Sequence, residues 1–374
     1  MVARPPASAS ARTVTAPDIT LQINVCAGDL AYADATVGQL VATHRSDVRE
    51  VLIVADACRP QSTPLVHRAS RFPAEPFAPR VAALRSMCAR WLAAGIVDRV
   101  EWIEPGAPAT PVLNRRYLGH STPWTHDHLG HALVAYFAGW ESPRTRYVAH
   151  FDADILLHQS PGYSWLRAGV EALEGDAGAL AASPRLAPPA DGRGSPLVDT
   201  RIPGNGWQAA WPLAPCASGW SSPWFSTRAH LLDRARLAAC LPLSPARGRC
   251  ADVVSAALNH LLHPLYERRP WTIDPNVRTR PWTGRVANHL ARRVIPPFPL
   301  PPEVLLHETA LRRGLRCLYL ADPRAWYLHP DDKPPALVAL LPRIAAAVAA
   351  GVVPPLQFGF TNVRAGDWQS FVSG

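Results

Sequence analysis

Apolar and polar positions alternate along the first half of the chain in the pattern of an α/β protein. Buried strands are predicted for three runs, ITLQINVCA (19–27), VREVLIVAD (48–56) and RYVAHFDADILL (146–157). Between the first two, DATVGQLVATH (34–44) places its apolar side chains at helical spacing, with Asp34 as the predicted N-cap. We therefore expect a mostly parallel, Rossmann-like sheet with helices on both faces.

Weaker periodicities extend this alternation. Predicted strands occupy residues 98–104 and 178–183, and predicted helices occupy residues 79–94, 126–139, 164–174, 226–238 and 251–263. Glycine, proline and tryptophan dominate from about residue 184 to Trp224, which indicates an active-site loop region.

The predicted domain organisation is simple. Residues 1–18 read as a disordered tail, residues 19–265 as a single domain, and residues 266–374 as a proline-rich, loop-rich extension that packs on this domain. Within the extension, PALVALLPRIAAAVAAGVV is apolar but interrupted by Pro342 and Arg343. We expect a packed helix there, because the run is too short and too interrupted to span a membrane.

Composition narrows the functional classes. A formal net charge of +9, carried far more by arginine than by lysine, favours phosphorylated ligands or an anionic membrane surface. The basic residues are scattered and no nucleic-acid-binding motif is present, so we expect no nucleic-acid partner. The seven cysteines form no CxxC pair. They predict a cytoplasmic protein with reduced thiols, and peripheral docking on a membrane surface is the alternative.

The strongest chemical signal is the carboxylate pair Asp152 and Asp154 in HFDADILL. In open α/β sheets the ligand crevice lies outside the carboxyl ends of the strands, where this pair is predicted to lie. Hard oxygen ligands favour Mg²⁺ or Mn²⁺, which keep open positions for phosphate oxygens. The alternative is that one or both aspartates only cap a strand or turn.

The chain resembles family-2-like glycosyltransferases of the GT-A fold. The resemblance lies in ITLQINVCAGDLAYADATVGQLV, in EVLIVAD and, most specifically, in RYVAHFDADILL, which is similar to the DxD strand of that family. It covers residues 19–265. It implies one nucleotide-binding α/β domain, a Mn²⁺ or Mg²⁺ requirement and a nucleotide-sugar donor.

The resemblance also implies roles for single residues. Asp56, at the end of the second strand, matches the acidic residue that contacts the base or ribose, while Asp152 and Asp154 match the DxD. Asp252 matches an acidic catalytic base at a helix N-terminus, although an N-cap role is equally compatible with its position. His329 resembles the C-terminal histidine that completes the metal shell, with Lys333 able to reach phosphate; the alternative is a surface turn.

Two further groups of residues could face a ligand. Acceptor binding is predicted for Trp207, Trp220 and Trp224, which with Trp211 lie in a glycine- and proline-rich segment, because aromatic faces stack on sugar rings. Core packing is the alternative for at least two of these four. His126, His128 and His131 are expected to be polar residues at a helix start, with one or two facing the cleft.

These observations predict a metal-dependent, inverting glycosyltransferase. It would move a sugar from a nucleotide-diphosphate donor to a hydroxyl of a saccharide, lipid-linked or small-molecule acceptor. One alternative is a non-catalytic GT-A-like protein that binds a nucleotide sugar. Another is a phosphohydrolase that uses the DxD aspartates, although that class would carry its DxD on the first strand.

Overall fold

The computed structural model describes residues 18–62, 74–127, 129–189, 213–243, 299–330, 333–363 and 365–373. In these ranges nine strands form one sheet, and two further strands pair with each other. The strands are β1 Ile19–Cys26, β2 Glu50–Asp56, β3 Arg99–Ile103, β4 Tyr147–Asp152, β5 Leu156–Gln159, β6 Ala179–Ser183, β7 Ala214–Cys216, β8 Gly219–Ser222, β9 Ala229–Asp233, β10 Arg316–Leu320 and β11 Ala325–Leu328.

The large sheet has the strand order β3-β2-β1-β4-β9-β6-β10-β8-β7. Its first four strands are parallel. Beyond β4 the sheet is mixed, because β9 runs antiparallel to both β4 and β6, and β8 runs antiparallel to β10. The α/β class expected from the sequence is confirmed.

Helices cover both faces of the sheet. They are α1 Ala33–His44, α2 Ala74–Ala93, α3 Ala109–Leu118, α4 Val134–Glu141, α5 Trp165–Gly175, α6 Arg234–Ala238, α7 Pro302–Arg313, α8 Pro335–Ala349 and α9 Ala365–Ser373. Helices α1, α2, α5 and α8 pack in one apolar cluster with alternate residues of the central strands. Helices α3, α4 and α7 pack against the opposite face.

Several sequence-based boundaries are wrong for local reasons. Asp34 is not the N-cap of α1, which is Tyr32; the Asp34 carboxylate accepts instead from the indole of Trp91 at 2.8 Å. The helix predicted from residue 126 begins only at Val134, after a β-bridge of His126 with Ala132. Helix α3, before this segment, was not predicted, and the helix predicted over 226–238 is β9 followed by α6.

The C-terminal part of the chain is integrated into the fold. Strand β10 lies between β6 and β8 in the large sheet. The sheet therefore includes residues on both sides of the boundary predicted at residue 265. Helix α8 packs on β5 and α1 with its buried side chains Leu337, Leu341, Ile344, Ala345 and Val348, as expected for a packed helix. Among the described residues, no helix has both the length and the apolar character required to cross a bilayer.

Candidate functional site

A cleft of about 390 Å³ opens at the carboxyl ends of the parallel strands. It lies at the switch point of the sheet, because the chain runs from β1 to β2 on one side and only later adds β4 on the other. The cleft is lined by Asn24, Val25, Cys26, Asp29, Asp56, His131, Ala132, Ala135, Tyr136, Asp152, Ala153, Asp154, Thr227, Arg228, Pro301, Pro302, Glu303, His329 and Lys333.

Asp152, the last residue of β4, is held from the α4 side of the sheet. The hydroxyl of Tyr136 donates to both of its carboxylate oxygens, at 2.7 and 2.8 Å. The Nε2 atom of His150 lies 3.3 Å from Oδ1. The Asp152 side chain is a quarter exposed, so it still faces the cleft. Burial, followed by the Asp152 charge, raises the pKa of Tyr136 well above its usual value and keeps this donor protonated.

Asp154 is buried at the floor of the cleft. Its Oδ2 atom lies 3.3 Å from Nε2 of His329 and forms an ion pair with Lys333. Burial alone would raise the pKa of Asp154, but His329 and Lys333 hold it well below its usual value, so the carboxylate is charged. Its Oδ1 atom is buried and has no hydrogen-bond partner among the described residues. A ligand or ion in the cleft would satisfy this oxygen.

His329 and Lys333 come from the segment that follows β11. The backbone of His329 donates to Thr361 and accepts from Val363, which fixes the imidazole beside Asp154. Lys333 also lies 3.3 Å from the hydroxyl of Tyr32. It is the only lysine in the 374-residue sequence, a signal that sequence reading could have used. The structure thus brings His329 and Lys333 to Asp154, while the metal-shell role of His329 and the phosphate contact of Lys333 stay predictions.

Asp56 ends β2 and lines the same cleft. Its Oδ1 atom accepts from the backbone of Cys58 at 2.8 Å, and its Oδ2 atom lies 3.5 Å from Nε2 of His126. Burial raises the pKa of Asp56, with His126 acting in the opposite direction. His131 lines the cleft and is half exposed. One of the predicted histidines thus supports Asp56 and another faces the cleft, while His128 lies outside the described residues.

A second cavity, of about 490 Å³, adjoins Asp56 at the carboxyl ends of β2 and β3. Its wall includes the aromatic side chains of Phe77 and Trp124 and the apolar Val81. Gln61, on the same wall, donates to the carbonyl of His126 at 2.6 Å and so links this cavity to the side of the cleft. A planar aromatic group would fit such a wall.

Sequence reading missed Glu303. This residue lies in the first turn of α7, immediately after Pro301 and Pro302, and faces the cleft. Burial raises its pKa, the charges of Arg228 and His131 oppose that shift, and Asp152 adds to it. The signal was present in the sequence as two prolines and a glutamate before an apolar run, a typical helix start.

The predicted acceptor residues are only partly described. Trp224 lies beside the ring of His307, at 5.2 Å between centroids. His307 is in α7, one helical turn after Glu303. Trp220 lies on β8, packs on an apolar cluster and stands 5.8 Å from the guanidinium of Arg185. Neither lines the cleft itself. Trp207, Trp211 and the predicted base Asp252 lie outside the described residues.

The fit of a divalent cation depends on the ligands that the cleft offers. Within the described ranges, no group of three His, Cys, Asp or Glu side chains is arranged to hold a metal ion. Mg²⁺, however, is commonly bound through one or two carboxylates together with waters and substrate phosphates. The unpartnered Oδ1 of Asp154 and the exposed edge of Asp152 fit that mode. These two carboxylates would hold the ion, and His329, 3.3 Å from Oδ2 of Asp154, would support Asp154 and not complete a three-residue ligand set.

The charges of the cleft define what it can bind. Five carboxyl groups line it, beside the cations Arg228 and Lys333. An anionic ligand would therefore bind best together with an added cation, whereas the carboxylates can also accept from hydroxyl groups.

No protein-family model matches the chain, and no curated protein matches it either.

Proposed function

We propose that the chain transfers a sugar from a nucleoside-diphosphate sugar to an acceptor hydroxyl in the cleft. The observation that carries this proposal is the convergence of Asp56, Asp152 and Asp154 at the switch point. Asp56 comes from the end of β2 and the other two come from the end of β4, on either side of β1. The only lysine of the chain lies among them. Acidic groups for a cation and a sugar, together with a basic group for phosphate, are what such a donor requires.

Asp152 and Asp154 would hold a Mn²⁺ or Mg²⁺ ion, and the donor's diphosphate would bind at this end of the cleft. When bound, that ion would neutralise the charge of the leaving nucleotide. The ribose would lie near Asp56, and the nucleobase would extend into the adjoining 490 Å³ cavity, where the indole of Trp124 offers a stacking face. Lys333, which forms an ion pair with Asp154, would add positive charge beside the phosphates.

The acceptor side would use Glu303. A carboxylate that lines the cleft and has a raised pKa is suited to take the proton of an attacking hydroxyl. Direct attack on the anomeric carbon would give inversion. The acceptor would approach past Trp224, whose ring lies beside that of His307, one turn after Glu303 on α7. Asp252 remains the base predicted from the resemblance, and the two residues can be compared directly.

The other functions expected from the sequence use the same cleft. A non-catalytic binder would hold the nucleotide sugar without releasing nucleoside diphosphate. A phosphohydrolase would need a free carboxylate nucleophile, but the Tyr136 hydroxyl donates to both oxygens of Asp152 and reduces its nucleophilicity. Donor hydrolysis and transfer assays separate these three functions.

The donor site is tested by calorimetric titration with a panel of nucleoside diphosphates and nucleotide sugars, with Mn²⁺ or with EDTA. We expect wild type to bind at least one member and to bind it more tightly with Mn²⁺. Asp154→Asn should weaken that binding about tenfold or more with Mn²⁺ and have little effect in EDTA, since it removes a charge from the ion's ligand set.

Asp98→Asn is the matched control. Asp98 is a carboxylate paired with Arg45 near the start of β3, away from the cleft. This variant should bind like wild type. Equal binding by Asp154→Asn and wild type in Mn²⁺ would exclude the metal role, and a wild type that binds no member of the panel would exclude the function.

A further inference from the structure

Strand β1 carries a row of buried polar side chains on the face that α4 covers. Thr20, Gln22 and Asn24 alternate with apolar residues, yet Thr20 and Gln22 are fully buried and Asn24 is 9% exposed. Helix α4 can approach them because residue 139 is glycine: a Cβ there would lie 2.6 Å from Oε1 of Gln22. Buried polar groups are costly unless they are hydrogen-bonded, so this row requires partners.

The partners form a chain of side-chain hydrogen bonds from β1 to β4. Gln22 donates through Nε2 to Oδ1 of Asn24 at 2.8 Å, and its Oε1 atom contacts Nδ1 of His150. The other ring nitrogen of His150 lies 3.3 Å from Asp152. The His150 ring stacks on His230, with 4.8 Å between centroids, which fills the space beside it. The chain therefore links two residues of the cleft, Asn24 and Asp152.

Asn24 is the end of this chain that lacks a second partner. It lines the cleft beside Asp152, with which it is in register across β1 and β4. Its Nδ2 atom is buried and has no hydrogen-bond partner among the described residues. Leaving such a buried donor unsatisfied is unfavourable, and an acceptor atom of a ligand in the cleft would satisfy it. Gln22 fixes the amide, so this donor is oriented before a ligand arrives.

We propose that Asn24 is a ligand-binding residue whose amide donates to an acceptor oxygen of the nucleoside diphosphate. This inference rests on the proposed function, because it takes the donor as the occupant of the cleft. Gln22 and His150 are positioning residues, since they act on the ligand only through Asn24 and Asp152. The acceptor oxygen belongs either to the diphosphate or to the ribose, and the experiment distinguishes these two.

The test measures dissociation constants of the preferred nucleoside diphosphate for wild type, Asn24→Ala and Asn24→Asp. Loss of a hydrogen bond to a charged group should weaken binding about 10- to 100-fold in Asn24→Ala. Asn24→Asp should bind at least as weakly, because it places a further negative charge near the phosphates. Asn24→Ser, which keeps a small donor, should recover part of the affinity and serves if the alanine variant does not fold.

Thr145→Ala is the matched control. Thr145 is also a buried polar residue that hydrogen-bonds to the β1 row, through Thr20 at 2.8 Å, but it lies just before β4, at the end of the strands away from the cleft. This variant should lose stability and keep the wild-type dissociation constant. Circular dichroism at the titration temperature verifies that each variant is folded.

Two fragments of the ligand locate the contact. If Asn24→Ala weakens the binding of inorganic pyrophosphate, the contact is to the diphosphate. If it weakens the binding of the free nucleoside, the contact is to the ribose. Either result supports the proposal. Wild-type affinity in Asn24→Ala, or an equal loss of affinity in Thr145→Ala, would overturn it while leaving the proposed function intact. A wild type that binds no nucleoside diphosphate would overturn both.

Discussion

The hydroxyl of Tyr136 donates to both carboxylate oxygens of Asp152, at 2.7 and 2.8 Å. One side chain comes from α4 and the other ends β4, so the packing of a helix on the sheet sets the orientation of a carboxylate in the cleft. Because burial and the Asp152 charge raise the pKa of Tyr136, the donor stays protonated across the working pH range. Asp152 is thus oriented before a ligand binds.

Tyr136→Phe should therefore weaken metal-dependent donor binding. The variant keeps the ring but removes the donor, which frees the Asp152 carboxylate to turn; we expect a loss of about tenfold in nucleoside-diphosphate affinity with Mn²⁺. Titration calorimetry measures this. Tyr117→Phe is the control, because its hydroxyl contacts Glu141 at 3.2 Å outside the cleft. Equal losses in both variants would show a general effect on α4 packing.

Glu303→Gln tests the assignment of the base. A general base contributes about 10²- to 10⁴-fold to the rate, so acceptor turnover should fall by that factor while donor binding is unchanged. Because the pKa of Glu303 is raised, wild-type turnover should fall as the pH decreases, and that limb of the profile should disappear in the variant. Initial-rate kinetics from pH 5 to 8 measure both effects.

Asp252→Asn provides the comparison for the same assay. If Glu303 is the base, this variant should turn over at near wild-type rates, since Asn can still cap a helix. The opposite pattern, with normal turnover in Glu303→Gln and collapse in Asp252→Asn, would return the role of base to Asp252.

Lys333→Met should weaken binding of nucleoside diphosphates by about tenfold or more, because it removes the charge that faces the phosphates. Since the chain has no other lysine, amine acetylation of the intact protein reports on Lys333 and the N-terminus alone. A bound nucleoside diphosphate should protect Lys333, as measured by mass spectrometry of the digested protein. Acetylation that is unaffected by saturating ligand would place the phosphates elsewhere.

The sequence predicted the parallel half of the sheet well. The bounds predicted for the first two strands lie within two residues of β1 and β2, because their apolar runs end at turn-forming residues. The strand-end position of Asp152 followed from the same pattern. The alternation of polar and apolar residues in β1 did not by itself show which face is buried. Thr20, Gln22 and Asn24 would normally face solvent, and only the packing of α4 shows that they are buried.

Other features depended on contacts that local patterns do not encode. The run AHLLD in β9 is too short for its periodicity to distinguish a strand from a helix. It forms a strand because it pairs with β4 and β6 in the sheet. Helix α3 was missed because Pro108 and Pro111 are typical of loops. Glu303 lies about 150 residues after Asp152, so only the tertiary fold brings it to the cleft.

The buried imidazole of His44 should make the protein less stable in mild acid. His44 is fully buried at the end of α1, where its Nε2 atom accepts from the indole of Trp165 at 3.2 Å and its ring stacks on Phe151. Burial lowers its pKa to about 4, with Asp47 acting in the opposite direction. The folded state thus holds His44 neutral, whereas the unfolded chain protonates it near its ordinary pKa of about 6.5.

The direction of this change in the free energy of unfolding with pH follows from proton uptake. Below pH 6.5 the unfolded state binds a proton that the folded state does not, so the stability contributed by His44 is complete at higher pH and is lost as the pH falls towards 4. From pH 7 to pH 5 we expect a loss of about 2 kcal/mol in the free energy of unfolding from this residue alone. His44→Gln keeps an acceptor for Trp165 but cannot be protonated, and urea unfolding should show a correspondingly smaller pH dependence. The lowered pKa values of His126 and His230 leave a residual slope of the same sign in the variant. Identical pH dependence in wild type and His44→Gln would show that His44 is not the group being protonated.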